Sequence, residues 1–348
     1  MVSRIVGVDI GSEFIRAAEL EGAGRSRPTL VRFQEIRLPD GAVQRGEVLE
    51  PHTVATVLRQ LWSRGRFRSR EVVLGIGNQR VLARDLTVPK ASRERIREAL
   101  PFQVQDLLPV PVGDALLDFY PVSESVGEHG AVLNGLLIAA VKDAVLGNVN
   151  AAQLAGLKAA DVDLIPFALT RALLPAASTG TVVLIDIGAS TTSVVVLTDG
   201  IPQFVRLIPA GGSDLTAALS SRLEIGLPQA EQVKRTLGLA SKVASLEEQQ
   251  AVEVVYEVTG ELLSSLRNTI NYFANTRPGV VVSSIVLNGG GAQLPGLPEA
   301  LGELTRLPVV EADPYAAIAL SRTLDAETLR TARHSAAVAV GLAIGAAA

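Results

Sequence analysis

The sequence contains no cysteine, which excludes disulfides and thiolate metal sites and fits a reducing cytoplasm. Its three histidines, His52, His129 and His334, are too far apart for metal-ligand spacing and read as ordinary surface or structural residues. Aromatic residues make up only 4% of the 348 positions, too few for base-stacking platforms, and a net charge of -4 argues against a general nucleic-acid binder. No apolar run reaches the length of a membrane span. The nearest, Ser335 to Ala348, is short, uncharged and rich in small residues, and it reads as a buried core helix. No basic segment leading into a long apolar core opens the chain, so no signal peptide is expected. What is present is apolar: 48% of residues are hydrophobic and the mean hydropathy is +0.32, so the chain is globular and large enough for two or more domains.

One stretch organises the rest. Val182 to Ile187 is an apolar run interrupted by a single charge, Asp186. Five small residues follow, Gly188 to Thr192, and then a β-branched run returns from Ser193 to Thr198. This is a tight hairpin with a carboxylate at its mouth. A carboxylate beside a buried strand is costly unless it meets a cation or donors. Small residues also let the loop backbone converge on an anion. Mg²⁺ with phosphate satisfies both features; an ordinary hairpin with a capping Asp is the plainer reading. Arg4 to Leu20 repeats the frame: an apolar strand, Asp9, then Gly11 and Ser12, then a returning strand. Two copies of D-I-G-[SA] predict two related halves facing a shared site.

Between the copies, Leu30 to Leu38 alternates as a third strand, Thr53 to Ser63 has helical spacing, and Glu71 to Ile76 is a buried strand. Arg64, Arg66, Arg68 and Arg70 sit on a predicted loop; the choice there is between a solvated connection and a contact to anionic lipid or an acidic partner. From Asn78 the texture changes. A strand at Val81 to Val88 is followed by a helix from Ser92, its N-cap, to Leu108, with Pro101 expected to bend or break it. Strands at Ala115 to Pro121 and Ala131 to Val141, separated by a polar loop Ser123 to Gly130, and a helix at Asp143 to Ala155 complete a βαββα insert. A strand, Asp161 to Pro166, returns to the main sheet; a helix, Phe167 to Leu174, and a bridge, Pro175 to Gly180, lead into the second half. There, Val182 to Pro209 gives three strands. Gly211 and Gly212 precede a helix whose N-terminus suits anions. Glu231 and Lys234 share a helix face, and taken alone they read as a surface ion pair. Leu246 to Asn275 is one long helix. Val280 to Leu287 is a strand running into Gly289, Gly290 and Gly291, a loop against which a flat ligand can lie. Helices are predicted at Leu297 to Leu304 and Pro314 to Leu320.

Together these residues resemble the actin-like ATPase superfold, a two-lobed α/β architecture of duplicated RNase H-like domains with a nucleotide in the cleft. The resemblance implies a first phosphate hairpin at Asp9, Gly11 and Ser12, with Arg16 where actin-type hairpins often carry Lys. It implies a second at Asp186, Gly188 and Thr191, with Gly211 and Gly212 beside it. Glu231 and Lys234, in AEQVK, then approach ribose and base, and Gly289, Gly290 and Gly291 form the adenosine loop. ATP and Mg²⁺ are the implied ligands, the metal held by Asp9 and Asp186. A small α+β insert after the first βββαβ resembles the FtsA and PilM branch. Val88 to Pro111, GGSDLT (Gly211 to Thr216), LNGGGAQLPGLPEAL (Leu287 to Leu301) and AVGLAIG (Ala339 to Gly345) are similar to the PilM family of type IV pilus assembly.

That resemblance divides the chain into residues 1–77 as the first part of lobe I, 78–160 as the insert, 161–180 as the return and bridge, 181–328 as lobe II and 329–348 as a C-terminal helix on lobe I. PilM relatives often carry Glu-Pro where an actin-type enzyme orients the attacking water. This chain has Ile165-Pro166, with Asp163 the nearest acid, so ATP binding with weak or no hydrolysis is expected and no catalytic residue is assigned. The implied role is a cytoplasmic scaffold at the inner membrane that binds the N-terminal tail of a PilN-like protein at the insert, without inserting into the bilayer. Three alternatives stand beside it. One is an FtsA-like filament-forming division protein, another a small-molecule kinase of the same superfold. The third is self-association through the insert.

Overall fold

The computed structural model describes residues 4–128, 130–174, 179–239 and 243–345. His129, most of the bridge predicted at Pro175 to Gly180, and the last three residues of the predicted tail lie outside the described residues.

In chain order the first half comprises β1 (Arg4–Ile10), β2 (Phe14–Glu21), β3 (Thr29–Arg37), β4 (Val43–Gln44), β5 (Glu47–Val48), α1 (Pro51–Gly65), β6 (Glu71–Ile76), β7 (Val81–Pro89), α2 (Arg93–Gln103), β8 (Ala115–Gly127), β9 (Gly130–Val141), α3 (Lys142–Leu154), β10 (Lys158–Leu164) and α4 (Ile165–Leu173). The second half comprises β11 (Thr181–Ile187), β12 (Thr192–Thr198), β13 (Ile201–Ile208), α5 (Gly212–Arg222), α6 (Leu227–Leu237), α7 (Leu246–Thr276), β14 (Val282–Asn288), α8 (Leu297–Thr305), β15 (Val309–Glu311), β16 (Ala319–Leu320), α9 (Ala326–Thr331) and α10 (Ala337–Gly345).

Two mixed sheets carry the two halves, ordered β10-β6-β1-β2-β3-β16 and β13-β12-β11-β14-β15. Each is built around an antiparallel hairpin, β1–β2 or β11–β12, whose first strand pairs in parallel with a later one. Strand periodicity puts Val6, Val8 and Ile10 of β1 on one face, against Val54, Leu58 and Leu61 of α1 and Ala151 and Ala152 of α3. The opposite face packs on α4 and α10. That second core is continuous: it runs from Ala18 and Leu20 through both helices to Leu184 and Val195 of the other sheet. The two sheets therefore share one apolar layer.

Glycine makes this layer thin. A methyl group on Gly7 of β1 would lie 2.0 Å from the Ala339 carbonyl oxygen, and one on Gly341 of α10 would lie 1.9 Å from that of Ala168 in α4. Backbones touch at both points, so the small-residue run near the C-terminus is a packing requirement. All of Ala337 to Ala343 is buried.

A separate three-stranded sheet, β7-β9-β8, packs α2 through Val88, Ile96, Leu100, Phe119 and Leu137. Ser92 caps α2 by accepting from the Arg95 amide, as the sequence reading has it. The helix ends at Gln103, two residues after Pro101, and Gln105–Leu107 and Val112–Asp114 are short 3₁₀ turns, so the expected helix to Leu108 is cut short. The segment read as a polar loop, Ser123 to Gly130, is mostly strand: β8 and β9 stay paired out to Gly127 and Gly130. Polar residues persist there because that end of the ribbon faces solvent. The helix expected at Pro314 to Leu320 is not formed either. Its end becomes β16, which adds to β3 in parallel at Ala319 and Leu320.

Candidate functional site

The ladder registers of the two hairpins superimpose in role. In the first, Asp9 pairs with Arg16 and Ile10 with Ile15; in the second, Asp186 pairs with Ser193 and Ile187 with Thr192. The carboxylates thus hold equivalent positions at the ends of equivalent strands, and their surroundings differ because their cross-strand partners differ. Asp9 is buried with a cation beside it: Arg16 Nη1 lies 3.4 Å from Asp9 Oδ2, while Arg16 Nε lies 3.1 Å from Glu35 Oε2. Asp186 faces Ser193 and no cation of its own. Its hydrogen-bond donor is Asn288 Nδ2, at 2.6 Å, from the end of β14. Burial pushes the Asp186 carboxyl up to about 6; the Asn288 bond opposes the shift, and the nearby negative charge of Asp9 reinforces it. Burial likewise raises Asp9, with Arg16 holding it down. The two carboxylates sense each other and share the charge of Arg16, which also pairs with Glu35, so together they favour a cation. The Asn288 Oδ1 atom, also buried there, has no hydrogen-bond partner among the described residues.

The turns meet across the cleft. Ser12 Oγ lies 2.5 Å from Ser190 Oγ and accepts from the Gly46 amide at 3.3 Å. Glu13 accepts from Ser213 Oγ at 2.5 Å, and Arg45, from the loop between β4 and β5, donates to the Pro209 carbonyl oxygen at 2.8 Å. The glycines of both turns have their amides engaged: Gly11 donates to Phe14 O and Gly188 to Thr191 O, each closing its own hairpin. The amides of Ser12, Glu13, Ala189 and Ser190 make no hydrogen bond to protein among the described residues, and they are the donors an anion could use. Sequence reading picked the glycines and Ser12. It also had the loop backbone of Gly188 to Thr192, which includes Ala189 and Ser190, converging on an anion; Glu13 is the addition, which the D-I-G-x-x frame points to once the turn bond is drawn. Asn288 and Arg45 carry no local signal at all. Thr191 contributes its carbonyl oxygen to the turn.

Gly211 and Gly212 correct an expectation. The N-terminus of α5 offers no free amides: Gly211 N donates to the Asp214 carboxylate at 2.8 Å, Gly212 N to Gly188 O at 3.0 Å, and Ser213 N to Ala189 O at 2.7 Å. Glycine is needed at 211 because a side chain there would run into Gly188 O and Ala189 O, at 2.5 and 2.6 Å. The helix start therefore buttresses the second turn.

Glu231 and Lys234 are more than a surface pair. The Lys234 side chain is only 14% exposed. Its Nζ reaches Glu231 Oε2 at 2.6 Å, Thr216 Oγ1 at 2.8 Å and Gly212 O at 3.1 Å. This ties α6 to α5 at the cleft rim. Opposite lies the glycine loop, with Gly291 Cα 3.7 Å from where a Gly212 methyl group would stand. The three loop glycines serve different ends. Gly289 adopts a φ of 98° and would drive a side chain into Ile187 O at 2.3 Å; Gly291 would strike Ile187 Cγ2 at 2.4 Å; Gly290 meets nothing within 4 Å. Only Gly290 opens onto free space.

Ile165 begins α4 and packs over β6, filling the room left by Gly75 and Gly77, whose methyl groups would lie 2.9 and 2.8 Å from it. Asp163 is committed elsewhere: it is ion-paired with Arg171, which also bonds the Gly341 carbonyl oxygen, and it accepts from the Leu164 amide.

Comparison with known proteins bears on this geometry. Residues 7–347 match the family described as type IV pilus assembly protein PilM. A solved structure of a PilM-PilN type IV pilus biogenesis complex is 28% identical, with a TM-score of 0.87 over 99% of this chain and 98% of that one. The cell division protein FtsA of Neisseria meningitidis serogroup B is 30% identical over 255 residues, 67% of this chain but only 60% of the length of FtsA. MreB5 of Spiroplasma citri, solved bound to ADP, shares the actin-like fold at a TM-score of 0.54 and 14% identity, over 97% of this chain and 94% of that one. No helix of the described residues is long and apolar enough to cross a membrane.

Proposed function

The chain belongs to the type IV pilus assembly protein PilM family, and on that footing we propose that it is a nucleotide-binding scaffold of a pilus inner-membrane assembly complex, engaging the cytoplasmic N-terminal tail of a PilN-like membrane protein. The observation that carries the nucleotide half is the pair of equivalent hairpins with Asp9 and Asp186 at their mouths and free amides in both turns.

The residues present fit ATP with Mg²⁺. Asp9 and Asp186 supply two carboxylates. Among the described residues no cluster of three or more His, Cys, Asp or Glu is placed to hold a metal, so the other ligands would be water and phosphate oxygens, as suits Mg²⁺. When bound, the ion would neutralise phosphate charge. The amides of Ser12, Glu13, Ala189 and Ser190 then hold phosphate oxygens, with the Gly11, Gly188 and Thr191 turns shaping them. Arg16 stays by Asp9 as the fixed positive charge of the first hairpin, and Gly211 and Gly212 brace the second. Lys234, with Glu231 orienting it, meets the ribose side, and the base lies against Gly290 between the packed Gly289 and Gly291.

Turnover is slow on this reading. An isoleucine at 165 cannot orient water, and positioning the nucleophile is most of what such a residue contributes. Asp163, held by Arg171, is not available to replace it.

The partner half rests on the family and on the insert. We place the insert at residues 78–141, narrower than the 78–160 division, because α3 and its C-cap contribute Ala151, Ala152 and Ala155 to the core of the first lobe. Residues 142–160 then join lobe I with 1–77 and 161–180, and lobe II, divided above as 181–328, ends before β16, which pairs with β3 and so returns the chain to lobe I ahead of the 329–348 segment. The insert also touches the second lobe: Arg277, at the end of α7, bonds Asp85 of β7 at 2.9 Å and the Gln203 carbonyl oxygen of β13 at 3.1 Å. A change in lobe angle is thereby transmitted to the sheet that would hold the tail.

Calorimetry with Mg-ATP and with a synthetic N-terminal peptide of a PilN-like protein tests both halves. Each ligand should bind, and each should change the affinity of the other by the same factor. Failure of the peptide to bind with or without nucleotide would refute the scaffold reading, and failure of ATP to bind would refute the cleft assignment. Phosphate release should be on the order of 10⁻³ s⁻¹ or slower. Brisk release that disappears in Asp186→Ala would show that another residue orients the water.

A further inference from the structure

The arginine-rich loop between α1 and β6 is not needed by the cleft or the insert, yet it is firmly built. Phe67 and Ser69 turn inward: Phe67 packs on Trp62 with ring centroids 5.0 Å apart, and the Trp62 indole donates to Ser69 O at 2.9 Å. Arg66, Arg68 and Arg70 alternate outward and are exposed, as is Arg64 in the last turn of α1. Beneath the loop lies Glu19, whose carboxylate is fully buried. It accepts from the amides of Arg68 and Ser69, both at 2.9 Å, and pairs with Arg32 at 2.5 Å. A buried carboxylate is an expensive anchor for a loop that only connects two elements.

The neighbouring turn between β2 and β3 adds exposed Arg25 and Arg27, and Arg4 bonds Glu21 at 2.9 Å. The charges of Arg4, Arg25 and Arg68 converge on Glu21 and hold its carboxyl below the usual range. Among the described residues, Arg25, Arg27, Arg64, Arg66, Arg68 and Arg70 make no ion pair with a carboxylate, although the chain as a whole is net acidic. The patch stands where β1, β6 and β10 begin, and Asp9 lies near the other end of β1, roughly 16 Å away along the strand.

Two elements that present guanidinium groups above the interior strands β6, β1 and β2, away from the open edges of the sheet, do not suit an extended peptide that adds to a strand edge. They suit a plane of phosphates, to which arginine binds with paired N–H donors. We propose that this face, the end of the first lobe remote from the cleft, lies on an anionic phospholipid surface through Arg25, Arg64, Arg66 and Arg68. The contact is electrostatic: the aromatic rings of the loop are turned inward and insert nothing. It rests on neither the nucleotide nor the peptide reading.

Flotation of the full chain with vesicles tests it. The protein should float with phosphatidylcholine mixed with phosphatidylglycerol, stay behind with phosphatidylcholine alone, and be released by high salt. Replacing the four arginines with Gln should weaken vesicle binding by several hundred-fold, about fivefold per charge. The Glu19 anchor should survive, since it uses the backbone amide of Arg68. The corresponding four Lys substitutions should keep most of the binding, and thermal melts of both sets should match the wild type. If the wild type does not float with the anionic vesicles, or the Gln set floats as well as the wild type, the proposal is wrong. Binding lost equally in the Lys set would overturn the purely electrostatic contact, and binding to acidic polypeptide but not to vesicles would assign the patch to a protein partner.

Discussion

Ser12 of the first turn and Ser190 of the second bring their hydroxyl oxygens to 2.5 Å across the cleft, the point where the two hairpins of the molecule touch through side chains of equal size. A bulkier apolar group at either position forces the turns apart and removes a hydroxyl. Ser190→Val is therefore expected to weaken ATP binding about tenfold or more while leaving the melting temperature nearly unchanged, since neither residue belongs to a core. Calorimetry and a thermal melt read both quantities. Unchanged affinity would mean that the two turns do not form one site.

Asp186 gives a pH dependence with a definite sign. Its folded-state pKa, about 6, lies above its ordinary value of 3.8. The protonated form is favoured by the fold, so this contribution to stability is full below about pH 4 and is lost as pH rises through about 6. The loss is about 3 kcal/mol. Asp186→Asn should thus raise the stability of the nucleotide-free chain at pH 8, flatten its profile between pH 4 and 7, and weaken binding of Mg-ATP. Denaturant melts across that pH range check the first two points. A mutant less stable than the wild type at pH 8 would show that Asp186 is not the strained group.

The rim of the cleft separates shape from charge. Gly290 opens onto free space, so Gly290→Val should fold normally and block adenosine nucleotides by a hundredfold or more, whereas Gly289→Val should fail to fold well because its backbone conformation and Ile187 exclude a side chain. Lys234→Ala should cost a smaller factor, about tenfold, and should also loosen α6 from α5 because its bonds to Gly212 O and Thr216 Oγ1 are lost. Fluorescent-nucleotide titration distinguishes the variants. Wild-type affinity in Gly290→Val would remove the base from this loop.

Much of this was legible in the sequence for a physical reason. The D-I-G frame is local, and a buried strand ending in one acid and small residues has few other uses, so Asp9, Asp186 and their turns could be found in one dimension. The packing of the C-terminal helix was readable because Ala and Gly admit close backbone approach. What could not be read depends on distant partners. Asn288 completes the environment of Asp186 from 102 residues away, and Arg45 reaches Pro209 from the other lobe. The amides of Gly211 and Gly212 looked available because their acceptors, the Asp214 carboxylate and Gly188 O, become visible only when the second turn is folded against α5. The Pro314 to Leu320 segment was assigned to a helix because β16 owes its existence to the exposed edge of β3, not to its own two residues.

The contact between Gly341 and Ala168 sets the last test. Gly341→Val would place a side chain where the Ala168 carbonyl oxygen lies 1.9 Å from the first added carbon, so α10 must shift from α4. A destabilisation of 3 kcal/mol or more, roughly the upper range for overpacking, is expected, with nucleotide affinity affected only through the folded fraction. Gly345→Ala, near the end of the same helix, would press on the Arg171 guanidinium and not on backbone, so it should be milder.

That same helix has a consequence for the order in which the molecule is assembled. Domains generally fold as units during synthesis, the N-terminal one first. Here the N-terminal sheet cannot close one of its faces until residues 337–345 arrive, because Gly7 of its first strand is shaped to receive the backbone of α10. The first lobe is therefore closed only by a segment that follows the strands of the second sheet. Until residues 337–345 have been made, β1, β2 and α4 present an uncovered apolar face, and the ribosome-bound intermediate is then a species that needs a chaperone.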